Sequence, residues 1–130
     1  MGARFKDYPD VGSTLEARLR HRIRMIVLIA LSDDLRENNR LMGVAPSLLG
    51  QSHWRRFYNH VIDVITRDIE EFTAVDGCPA QEPRRVAIDL LALLAGWFRM
   101  ELLMQPVKTQ EAIAFGDRAI DLFLAARPIW

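Results

Sequence analysis

The sequence predicts an all-α protein, an antiparallel bundle of about five to six helices. Three observations predict it. Apolar residues recur at spacings of three and four, with no competing alternation at two. Start and stop residues bracket those runs at helical lengths. Half of the 130 residues are apolar and 26% are charged, the balance of a folded globular chain. A chain of this length closes one core without staples, so residues 1–12 read as a tail and residues 13–130 as a single helical domain.

The elements follow in order. Ser13 opens a capping box with Glu16, which starts a helix running from about Thr14 to Leu31. Its first half, "RLRHRIR", reads as a solvated basic segment and its second half is apolar nearly all round. Ser32 before Asp33 and Asp34 reads as the cap of a short helix ending near Gly43. "VAPSLLGQ" is a loop. From Ser52 a clean stripe follows, Trp54, Phe57, Tyr58, Val61, Ile62, Ile65, Ile69 and Phe72, with Asp63, Arg67, Asp68, Glu70 and Glu71 on the solvated remainder. Gly77, Pro79 and Pro83 stop that helix. The next spans about Arg84 to Met104, and Thr109 caps the last, about Gln110 to Ala126.

The last two helices carry more apolar surface than one core face requires. The stretch "LLALLAGWFRMELLM", Leu90 to Met104, is apolar over about two-thirds of its circumference. A membrane span is excluded by charge: Asp89, Arg99 and Glu101 would each cost about 2.5–3.5 kcal/mol at depth. The remaining uses are a domain interior, a ligand wall and a surface that meets a second copy, since large apolar patches mark interaction sites. Two such helices from each subunit would close a four-helix homodimer. For the subunit seam the candidates are Leu91, Leu94, Ala95 and Phe98, with Gly116, Ile120 and Phe123 on the last helix. The flexible thioethers and large rings of Met25, Met42, Trp54, Phe57, Tyr58, Val61, Trp97, Met100 and Met104 are the candidates for an apolar pocket, with Asn59 and Arg99 as polar handles. Periodicity defines two faces without saying which is which, and the alternative is that these residues simply fill a core.

Catalytic and metal chemistry have no sequence support. His53 and His60 stand seven apart, and His21 lies on another helix. No phosphate loop or nucleophile elbow occurs, so neither an enzyme nor a cofactor or metal is expected. The 17 basic and 17 acidic residues cancel, which leaves no field to draw in nucleic acid, and the run from Arg18 to Arg24 lacks interleaved aromatics for base stacking. The single cysteine, Cys78, and an amino terminus without an apolar signal segment point to a cytoplasmic protein.

The order of elements, "ALSDDLRENNRLM", then "HWRRFYNHVIDVITRDIEEFTAVDGCP", then "RRVAIDLLALLAGWFRMELLMQPVKTQEAIAFGDRAIDLFL", resembles the carboxy-terminal half of tetracycline-repressor (TetR) family regulators. The resemblance covers roughly Ser13 to Ala126 and rests on pattern and element lengths rather than on an invariant motif. It implies a domain that binds a small hydrophobic effector and dimerises through its last two helices. The family's helix-turn-helix module has no counterpart in the sequence, so this chain alone is not expected to bind DNA. The runner-up expectation is a helical dimerisation or protein-interaction domain with a filled core and no ligand.

Overall fold

A computed structural model describes residues 13–31, 51–104 and 106–130, with the side chains of residues 51–55, 102 and 103 outside the description. The described elements are all helical: α1 (Leu15–Ala30), α2 (Gln51–Val75), α3 (Pro83–Met104), α4 (Thr109–Ala125) and a short 3-10 turn (Arg127–Ile129). The expected short helix between Ser32 and Gly43 lies outside the described residues, which hold the four expected long helices and a terminal 3-10 turn.

The helices pack in a ring, α1 on α2, α2 on α3, α3 on α4, and α4 back on α1. Short connections make α2, α3 and α4 successive antiparallel neighbours. Side-chain contacts set α1 antiparallel to both of its neighbours: Arg22 reaches Asp68 on α2, while Arg20 reaches Asp121 and Ile23 lies against Gly116 on α4. Each helix sends its buried stripe to the centre: Leu19, Ile23 and Val27, then Val61, Ile65 and Ile69, then Ala87, Leu90 and Leu94, then Ala112, Ala119 and Ile120. Burying one such Leu, Ile or Val contributes about 1.5–3 kcal/mol. Gly116 lets α1 close on α4, because a Cβ there would stand 2.8 Å from Cγ2 of Ile23.

The helix ends depart from expectation by a residue, each for a local reason. Thr14, not Ser13, caps α1, its Oγ1 accepting the Ala17 N–H at 3.1 Å. α3 starts on Pro83 itself, whose fixed φ and missing N–H suit the first helical position. Thr109 is already inside α4, and the cap residue, Lys108, makes no side-chain capping bond. The end of α2 is closed by a left-handed glycine and two backbone bonds. Gly77 (φ +77°) takes the left-handed position, its N–H donates to the Ala74 carbonyl, and the Cys78 N–H donates to the Thr73 carbonyl. Thr73, fully buried, donates to the Ile69 carbonyl (2.6 Å) and accepts the Ala80 N–H (3.1 Å).

Residues 127–130 fold back over that loop. The Gln81 N–H donates to the Trp130 carbonyl and Arg127 donates to the Cys78 carbonyl. Trp130 Nε1 donates to the Phe123 carbonyl at 3.0 Å, and the Arg127 guanidinium lies over the indole, 5.2 Å from its centre.

Candidate functional site

Antiparallel packing brings the second half of α1, the first half of α2, the second half of α3 and the first half of α4 to one end of the bundle. Large apolar side chains gather there. Met25, Phe57, Tyr58, Trp97 and Phe98 are half-buried and pack on the core, and Phe115 is buried. Trp97 stacks on Phe115 with ring centres 4.6 Å apart and planes 6° from parallel, and it meets Phe98 edge-on at 5.3 Å. Phe57 and Tyr58 meet edge-on at 5.7 Å. Burial pushes the Tyr58 phenol above its ordinary pKa.

Of the candidate pocket residues, Met25, Phe57, Tyr58 and Trp97 therefore share this end. Val61 lies beneath them in the core, fully buried. Met100 and Met104, 70% and 83% exposed, are on the outside of α3. Met42 and the side chain of Trp54 lie outside the described residues. Asn59 and Arg99, the candidate polar handles, are exposed.

The seam candidates divide differently. Leu91, Leu94, Gly116 and Ile120 are buried within this chain, Phe98 and Phe123 are half-buried against its core, and only Ala95 is exposed. The face of α3 that remains open carries Asp89, Ala92, Leu93, Gly96, Arg99, Met100 and Met104. The reason is visible on a helical wheel: Ala87, Leu90, Leu91 and Leu94 form the stripe that meets α2 and α4, which leaves the opposite side to solvent.

Two charged groups expected at the surface are inside. Arg22 and Asp68 have side chains only 5% exposed and join α1 to α2 as a fork: Nε donates to Oδ2 at 2.8 Å and an Nη to Oδ1 at 3.3 Å. Arg18, its side chain 13% exposed, donates to the same Oδ1 at 3.2 Å and lies over the Phe72 ring. A signal existed in the sequence. Arg22 follows Leu15 and Leu19 and precedes Ile26 at core spacing, and Asp68 falls in the series Val61, Ile65, Asp68, Phe72.

Outside this cluster, Arg20 ties α1 to α4 through Asp121, the Asp117 carbonyl and its own neighbour Glu16. The Asp121 and Glu16 carboxylates hold its guanidinium above even the usual arginine range.

At the end opposite the aromatic cluster, a cleft of about 530 Å³ opens between the start of α1 and the ends of α2 and α4, over Leu15, Phe72, Val75 and Leu124. None of the candidate pocket residues lines it. Among the described residues no group of acids, histidines and cysteine could hold a metal ion, and no helix is long and apolar enough to cross a membrane.

These features define the described residues as an all-helical bundle with an aromatic end and an open face on α3. Compared with family models, curated proteins and solved structures, the chain finds no match.

Proposed function

We propose that the chain is the effector-binding and homodimerisation domain of a TetR-like transcriptional regulator, in which a small apolar ligand controls DNA binding by a separate module. The observation that carries this reading is the gathering of Met25, Phe57, Tyr58 and Trp97, half-buried, at one end of the ring of helices. Half-buried rings offer apolar area and stacking faces to a ligand while the core beneath them stays packed. The open face of α3, with Leu93, Met100 and Met104 exposed, supports association with a second copy. Ligand would act by favouring one of two helix arrangements already in equilibrium.

Titration with an apolar dye, followed by displacement with fatty acids, tests the ligand half of the reading. Binding that quenches tryptophan fluorescence and is weakened by Trp97→Ala is expected. Absence of any dye or fatty-acid binding would sink it. Light scattering tests the other half, since a strict monomer at micromolar concentration rules out the homodimer.

A second reading is favoured by the depth of packing under the rings. Val61, Ile65, Leu90, Leu94 and Ile120 are at most 2% exposed, as in a filled core. On this reading the chain is a dimerisation or protein-interaction domain without a ligand. A dimer that binds no dye would select it.

A further inference from the structure

We propose that α3 pairs antiparallel with α3 of a second copy, in a register that sets Asp89 of each chain against the partner's Arg99. The inference rests on the homodimer part of the reading above and specifies its geometry.

Three observations carry it. The first is the open face itself. At 100° per residue, Asp89, Ala92, Gly96 and Met100 form one stripe flanked by Leu93 and Arg99, and all six are exposed. The second is Gly96. A glycine inside a helix costs roughly 0.5–1 kcal/mol relative to alanine. Gly116 repays that cost by admitting Ile23, whereas a Cβ at Gly96 would meet nothing within 4 Å. Among the described residues nothing therefore makes use of this glycine, but a helix backbone approaching from outside would. The third is charge. Neither Asp89 nor Arg99 has an ion-pair partner among the described residues, and they lie at the two ends of the stripe.

A two-fold axis midway between Ala92 and Gly96 satisfies all three together. It sets Ala92 against the partner's Gly96, where the backbones come closest. Asp89 and Arg99, five residues either side of the axis, then form two equivalent ion pairs that flank the crossing. The competing arrangements fail on the same residues. Parallel pairing sets Asp89 against Asp89 and Arg99 against Arg99. Moving the axis to Gly96 sets Arg99 against the partner's Leu93 and strands Asp89. Self-complementary charge of this kind fixes orientation and register more than it adds affinity.

The test is a charge-exchange cycle on the full chain, followed by light scattering over a concentration series. Asp89→Arg and Arg99→Asp each place like charges at both contacts and should each weaken the dimer about tenfold. The combination Asp89→Arg with Arg99→Asp should restore it. Both positions are exposed, so unchanged helical content and melting temperature will show that the variants fold. Gly96→Leu should weaken the dimer at least as much. If the single exchanges dimerise like the unchanged chain, or if the double exchange fails to rescue, the register is overturned while the homodimer stands. Full affinity in Gly96→Leu would overturn the close crossing. A chain that is monomeric throughout would overturn the register and the homodimer reading together.

Discussion

Asp68 holds two arginines at once, and replacing it with alanine is the most informative single change. Arg22 has a side chain 5% exposed and Arg18 one 13% exposed, so neither guanidinium can recover full hydration when the carboxylate is removed. Removing one partner of a buried ion pair costs about 3–5 kcal/mol, against about 5–15 kcal/mol for the total stability of a typical domain. In urea, with a slope near 2 kcal/mol per molar, Asp68→Ala should lower the unfolding midpoint by roughly 2 M. The apolar replacement Arg18→Met, Arg22→Met, Asp68→Leu removes all three charges and should be less destabilising than Asp68→Ala, because the desolvation cost of the ions disappears with their attraction. Two outcomes would refute the reasoning. A loss below about 1 kcal/mol for Asp68→Ala would place the cluster in effective contact with solvent. A triple replacement as unstable as Asp68→Ala would mean that side-chain packing, rather than unbalanced charge, sets the cost.

Other perturbations follow from single residues. Leu94→Ala should cost about 2–5 kcal/mol in thermal or urea unfolding, since the side chain is 2% exposed within this chain, and Leu94→Glu should unfold the domain outright, as far-ultraviolet circular dichroism would show. Gly77→Ala should cost about 1 kcal/mol although nothing crowds the position, because φ of +77° burdens any Cβ, and Gly77→Asn should cost less. The buried Tyr58 phenol stays neutral to a higher pH in the folded chain than in the unfolded one. Its contribution is therefore fully present below the ordinary phenol value of about 10 and is lost as pH rises through the folded value. Tyr58→Phe should flatten the alkaline fall in stability and remove the latest step from an ultraviolet phenolate titration.

The four long helices were legible because each buries one stripe, and a stripe leaves a period in the sequence. Gly77 with the following prolines marked the end of α2, since only a left-handed residue closes that helix with both of its terminal bonds. The orientation of α3 was not legible. Leu91 and Met100 are both apolar, and whether either faces inward depends on where α2 and α4 dock, which no local pattern encodes. The Arg18, Asp68 and Arg22 cluster is a non-local fact of the same kind, joining residues up to 50 apart. Its charges sit at core spacing on both helices, but recognising a pair required knowing that α1 lies antiparallel to α2. The aromatic end was legible as composition, in Trp97, Tyr58 and Met25, and only the up-and-down course of the helices gathers it in one place.

The return of residues 127–130 over the loop after α2 fastens that end of the bundle. At that end Arg127, Gln81, Thr73 and Trp130 tie a helix terminus, a loop and the final turn into one hydrogen-bonded unit. Separating the helices there means breaking several bonds together. Amides near Thr73 and Phe123 should therefore exchange with solvent only through large openings of the native state.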